Sequence, residues 1–198
     1  MAFKEKVLED LRSFLPDEAL LLNEEATSRQ AGGLHTEEPV NAKLIVRPKS
    51  TEEVSKVLSI CNKEKQSVVV HGGLTGLVYG TRTLPDQLIL SLERMNEINE
   101  VDIVGRTMTC QSGTTLQNIQ EKAEEQGMIF PLDLGARGSC SIGGNISTNA
   151  GGNRVIRFGM TRDSVLGIEA VTPDGTILSS MNRMIKNNAG YDLKQMFI

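Results

Sequence analysis

The sequence predicts an α+β fold in which a small parallel piece leads into a larger, mainly antiparallel sheet built from hairpins, with helices packed over it. Three observations carry that prediction. A strand, a helix and a second strand follow one another between residues 43 and 70. Two further strand pairs fold back across Gly105-Arg106 and across Pro173-Asp174-Gly175. The helical stretches between them each show one apolar face.

In chain order, residues 3–22 set Val7, Leu8, Leu11, Phe14 and Leu15 at helical spacing until Pro16 interrupts, so a helix and then a short turn are expected. Residues 23–41 are polar, contain Gly32, Gly33 and Pro39, and read as an irregular crossing segment with His35 as a solvated loop histidine. Residues 44–48, LIVRP, form a strand. Ser50 and Glu53 spell a capping box for a helix lined by Val54, Val57, Leu58 and Cys61. Residues 67–70 return as a strand and complete a βαβ unit, whose carboxyl end is where ligands bind in such units. Residues 87–92 are a strand, and 98–104 with 107–111 a hairpin. Thr114 with Gln117 caps a helix with Leu116, Ile119 and Ala123 on its apolar side, and Gly127 ends it. Residues 165–171 and 176–179 make the last hairpin.

Composition excludes several classes. The 198 residues carry a formal net charge of −4 and a pI near 5.3 with charges interspersed, so no basic stripe is present to neutralise phosphates, which argues against nucleic acid. No apolar run approaches the ~20 residues of a bilayer-spanning helix. The first fifteen residues lack a signal-peptide apolar core, and a cytoplasmic protein without a transmembrane segment is the expectation. Cys61, Cys110 and Cys140 are odd in number and unpaired in spacing, which speaks against a disulfide framework or structural zinc. With His35 and His71 as the two histidines, no cluster at ligand spacing exists, and no metal site is expected.

Two glycine-dense segments hold the chemical interest. His71-Gly72-Gly73-Leu74-Thr75-Gly76-Leu77 follows a strand, where successive amides can turn inward as a nest for a diphosphate. A tight turn is the plain alternative. Neither a P-loop nor a Rossmann fingerprint fits, because no GK[ST] closes the run and no long helix begins at Gly76. Residues 131–153, PLDLGARGSCSIGGNISTNAGGN, combine glycine with short hydrogen-bonding side chains and apolar anchors, which suits a planar polar ligand better than a linker.

The order VVVHGGLTGL, then FPLDLGARGSCSIGGNISTNAGGNRVIRFGMTRDSVLGIEAVTPDGTIL, then KNNAGYDLKQMFI resembles the FAD-binding domain of the vanillyl-alcohol oxidase and p-cresol methylhydroxylase flavoproteins. Within that family it is most similar to the D-2-hydroxyacid dehydrogenases: D-2-hydroxyglutarate and D-lactate dehydrogenases and glycolate oxidase D subunits. The resemblance runs from about residue 40 to 198 and implies the PCMH-type FAD-binding fold, with residues 1–39 as an N-terminal helical segment, a small lobe of about 40–92 and a larger one of about 93–198. It implies noncovalent FAD. His71, Gly72, Gly73, Leu74, Thr75, Gly76 and Leu77 match the family's PRGGGTGL, whose amides hold the pyrophosphate; Val70, His71 and Leu74 depart from it. Leu74 stands where the family has glycine, a costly exchange if a positive φ is needed.

Pro131, Gly138, Ser139, Ile142, Gly143, Gly144, Asn145, Thr148, Asn149, Gly151 and Gly152 match positions lining the flavin and its arm, and Ile168 matches one beside the adenine half. Family enzymes continue with GSEGTLG and a substrate domain, which this sequence does not include, and no general base is recognisable, so the catalytic residues are unknown. Two readings remain open: the FAD domain of an oxidoreductase that transfers hydride from a D-2-hydroxyacid to FAD, or a non-catalytic FAD-binding module or a subunit that needs a partner. The UDP-N-acetylenolpyruvoylglucosamine reductase branch, with a nicotinamide donor, is the alternative inside the family.

Overall fold

The computed structural model describes residues 4–30 and 39–198, so His35 lies outside the described residues. The chain forms two compact units, one of residues 1–95 with 171–177, the other of residues 96–170 with 178–198.

The first unit is built on a mixed four-stranded sheet, β1 (Leu20–Leu22), β2 (Leu44–Val46), β4 (Leu88–Ser91) and β3 (Val68–His71) in that spatial order. Helix α1 (Glu5–Arg12) buries Val7 and Leu11. A 3₁₀ turn over Asp17–Ala19 follows Pro16, as expected, but Leu20–Leu22 then enters the sheet antiparallel to β2, which helical spacing did not foretell. The Arg47 amide donating to the Ala19 carbonyl and the Asn23 amide to the Lys43 carbonyl extend that pairing, so long-range hydrogen bonds decided the conformation. A four-residue helix, α2 (Glu24–Thr27), interrupts the crossing segment.

Helix α3 (Thr51–Glu64) starts where expected. Ser50 Oγ accepts from the Glu53 amide at 3.2 Å, but the Glu53 carboxylate takes the Lys49 amide at 2.7 Å, so half of the capping box is displaced by one residue. The βαβ unit also differs in one respect. β2 and β3 are parallel but not neighbours, because β4 lies between them and is parallel to both. β2 and β4 are therefore central and buried on both faces, which accounts for the unbroken apolar runs LIV and LIL. Leu44, Val46, Leu88 and Leu90 join Val7, Leu11, Val57 and Cys61 on one side, while Ile45 and Ile89 meet Ala26, Val40 and Ala42 on the other.

In the second unit β5 (Ile98–Asp102) and β6 (Thr107–Cys110) pair antiparallel, and Asp102 Oδ1 accepts the Gly105 amide at 2.8 Å to close the turn. Arg183 clamps this hairpin by pairing with Glu100 and, at 3.0 Å, with Asp102. Helix α4 (Leu116–Glu124) is capped by Thr115, which accepts the Asn118 amide at 3.3 Å, rather than by Thr114. Thr114 is fully buried and donates to the Glu97 carbonyl, so its hydroxyl serves the interior and the cap falls to its neighbour. Leu116, Leu132 and Cys140 form the local core. β7 (Ile168–Val171) and β8 (Ile177–Ser180) form a second two-stranded ladder about the expected turn, with Gly175 at φ 91°.

Candidate functional site

The first glycine loop leaves the sheet at the end of β3, where His71 pairs with Ser91 of β4. The His71 ring is 4 % exposed and its Nε2 lies 2.9 Å from the Thr81 carbonyl oxygen. A carbonyl only accepts, so Nε2 carries the hydrogen and one proton suffices for the contact. Burial pushes the His71 pKa below 6.5, against the opposing pull of the Thr81 contact and Glu93. With the folded value depressed, the unfolded chain takes up this proton first as pH falls. The contribution of His71 is thus intact above about pH 6.5 and declines as pH drops below it. Unfolding titrations at about pH 7.5 and 5.5 are expected to show a smaller acid loss in His71→Gln than in the parent chain.

Within the loop Leu74 sits at φ 56° and Tyr79 at φ 60°, both left-handed conformations that a Cβ disfavours. A glycine at position 74 would meet this geometry without strain, and leucine meets it at about 1–2 kcal/mol. Leu74→Asn, a residue that tolerates this region, is expected to stabilise the fold by about 1 kcal/mol in urea unfolding. Among the described residues the amides of Thr75, Gly76 and Leu77 donate to no acceptor, and a Cβ placed on Gly76 would meet nothing within 4 Å. Those open donors, beside the exposed side chains of Leu77 and Val78, are what a diphosphate-bearing ligand with an apolar ring system would need.

The second segment, in the other unit, spends its amides differently. It contains a short helix that glycine density had concealed, α5 (Ile142–Ser147), with Ser141 Oγ accepting the Gly144 amide at 3.4 Å. The Gly143 amide donates to the Ser112 carbonyl at 2.8 Å, the Ile142 amide to Thr114, the Thr148 amide to Gly144 and the Asn149 amide to Ile146. Among the described residues the amides of Gly138, Gly151 and Gly152 remain without an acceptor. Gly143 and Gly152 are first a packing device. A Cβ on Gly143 would stand 2.7 Å from the Ser112 Cβ, and one on Gly152 only 2.2 Å from the Asp133 carbonyl oxygen.

Thr148 Oγ1 donates to Gly144 and Ser147 Oγ to Gly143, each at 2.8 Å, leaving their lone pairs for a ligand's hydroxyl donors. Asn149, at φ 44°, accepts the Arg162 amide at 3.0 Å through Oδ1. Asn145 and Ile142 are buried, and Asn145 reaches the Cys140 thiol while its Oδ1 is sealed without a partner among the described residues. Both belong to the packing that holds α5 in place. Pro131 is half-buried, Ser139 exposed, and Ile168 opens β7. Three residues not singled out in the sequence matter to these loops: Thr81, Ser112, and Thr161, whose buried hydroxyl donates to the Ala150 carbonyl at 2.6 Å. None of them carries a local signal, since each is recruited from a distance.

No group of His, Cys, Asp and Glu able to hold a metal occurs among the described residues, and none of their helices is long and apolar enough to cross a membrane. Burial pushes the Cys61 and Cys110 thiols up to about 11, so neither is a nucleophile at neutral pH. A cavity of about 220 Å³ beside α4 is lined by Gln117, Gln120, Glu121, Glu124 and Arg137; it is smaller than an ordinary cofactor cleft and its glutamates oppose a phosphate.

A family model described as FAD binding domain matches residues 42–180. A protein of Oryza sativa subsp. indica named probable D-2-hydroxyglutarate dehydrogenase, mitochondrial, is 51 % identical over 158 residues, covering 80 % of this chain and 28 % of its own. A Schizosaccharomyces pombe protein named putative D-lactate dehydrogenase C713.03, mitochondrial, is 46 % identical over 155 residues, covering 78 % of this chain and 30 % of its own. Thus the chain spans under a third of the length of either relative. In structure it resembles an alkyldihydroxyacetonephosphate synthase with a TM-score of 0.84 at 21 % identity, over 100 % of this chain and 38 % of that one, a likeness of fold. The cytoplasmic expectation is overturned, since both relatives are named as mitochondrial. Its premise was too narrow: lacking an apolar signal core bears on secretion, whereas mitochondrial import is read from amphipathic, Arg-rich leaders.

Proposed function

The chain belongs to the FAD-binding domain family, and from that premise we propose that it is the cofactor-holding part of a flavin-dependent oxidoreductase that converts a D-2-hydroxyacid to the 2-oxoacid. The observation that carries the cofactor assignment furthest is the row of open amides at Thr75, Gly76 and Leu77 beside a glycine with free space where a Cβ would stand. These donors face a diphosphate without reorganisation, which is how a backbone nest holds an anion. The backbone amides of Gly138, Gly151 and Gly152, with the hydroxyl oxygens of Ser147 and Thr148, address the flavin arm, and Ile168 the adenine half. FAD, held noncovalently, supplies the two-electron acceptor for hydride.

D-2-hydroxyglutarate and D-lactate come ahead of glycolate as substrates, because the relatives' names carry those two. The groups that grip the hydroxyacid carboxylate and take its hydroxyl proton are assigned to the further length that the relatives possess, supplied in the same polypeptide or by a partner subunit.

The test is reconstitution of the chain with FAD, followed by anaerobic addition of D-2-hydroxyglutarate or D-lactate while the visible flavin band is recorded. Bound flavin that bleaches places catalysis in these residues. Bound flavin that stays oxidised supports a cofactor domain completed elsewhere. A chain that stays colourless overturns the assignment, and bleaching by NADPH alone moves it to the reductase branch.

A further inference from the structure

We propose that the His71 imidazole is a positioning residue that latches the two ends of the glycine loop together by donating to the Thr81 carbonyl, and so fixes the open amides of Thr75, Gly76 and Leu77 for a diphosphate. The inference rests on the cofactor reading above, but its evidence lies wholly within one unit. His71 belongs to β3, whose register with β4 is set by the pair His71–Ser91 and by the Leu92 amide donating to the His71 carbonyl at 3.1 Å. The backbone position of His71 is therefore rigid before the ring acts.

Its side chain is buried, points away from solvent and meets Thr81, ten residues on, at 2.9 Å. A buried side chain cannot contact a ligand lying over the exposed residues 76–80, which separates this role from direct binding. Thr81 is itself held near a second anchor. Thr83 Oγ1, two residues later, accepts the Asn41 and Ala42 amides at 3.0 and 3.2 Å.

Between the ends the backbone needs such a clamp. Leu74 and Tyr79 both occupy left-handed conformations, at φ 56° and 60°, and a loop strained at two places relaxes unless its termini are fixed. The Tyr79 ring is further braced by the Arg82 guanidinium at 3.9 Å, and the Arg82 amide donates to the Tyr79 carbonyl at 3.1 Å. Removing the latch is expected to loosen the segment between His71 and Thr81 while leaving the sheet intact.

Three forms of the chain test this: the parent, His71→Ala and His71→Gln, whose side-chain amide can restore a donor near Nε2. Amide hydrogen exchange over residues 72–82 is measured without cofactor, and FAD affinity by quenching of flavin fluorescence. Expected is faster exchange of the loop in His71→Ala with sheet protection retained, an FAD dissociation constant raised about tenfold, and recovery of both in His71→Gln. Loop exchange equal in all three forms overturns the latch even if FAD binds. Loss of protection throughout the sheet in His71→Ala, unrecovered in His71→Gln, also overturns it in favour of a packing role. Loop exchange that responds as expected in a chain to which FAD does not bind upholds the latch and removes the cofactor reading alone.

Discussion

Gly152→Ala is expected to destabilise the fold by about 3 kcal/mol or more, read as a lowered urea midpoint at unchanged slope. Gly152 holds φ 125°, where a side chain is strained, and the added carbon would stand 2.2 Å from the Asp133 carbonyl oxygen. The obstacle is backbone, not the end of a flexible side chain. Nor can Asp133 retreat freely, because its carboxylate pairs with Arg137 at 3.2 Å and Arg154 at 3.5 Å, and the neighbouring Leu132 is buried in the local core. An unfolding curve that superimposes on the parent would show that residues 131–153 are loosely packed.

Gly76→Leu should do the reverse, with stability kept within about 0.5 kcal/mol and FAD affinity reduced roughly ten- to a hundredfold. Nothing stands within 4 Å of the added Cβ, so apo packing has nothing to lose. The side chain would instead fill the space above donors that have no acceptor among the described residues, and a hydrogen bond to a charged oxygen is worth about 1.5–3 kcal/mol. Calorimetric titration with FAD decides the matter. Undiminished binding would mean that the open amides at this turn do not serve the diphosphate. The pair of substitutions separates two uses of glycine that look alike in one dimension: room for the protein's own backbone at Gly152, and room for a ligand at Gly76.

Much of the fold was legible beforehand because its signals are local. The amphipathic face of α3 and its Ser50 cap are read from neighbours within one or two turns, as are the Gly105 and Gly175 turns. What was misread depended on distant partners. The three leucines of β1 became a strand through pairing with β2, and β4 entered between β2 and β3, choices that no window of local sequence contains. Thr114 lost the cap to Thr115 because a buried acceptor, the Glu97 carbonyl, claimed its hydroxyl.

The candidate site divides in the same way. Residue order alone determined the family and the cofactor, since an ordered series of glycine loops is a chemical pattern that survives without coordinates. Tertiary structure alone decided which of those residues face outward and which serve the interior. His71 turns in to bind Thr81, Asn145 is sealed beside Cys140, and Gly143 yields its amide to Ser112, while Thr75, Gly76 and Leu77 keep theirs open. The physical reason is that a backbone amide is available to a ligand only if no carbonyl elsewhere in the chain has reached it first, and that is settled by long-range packing rather than by the identity of the residue.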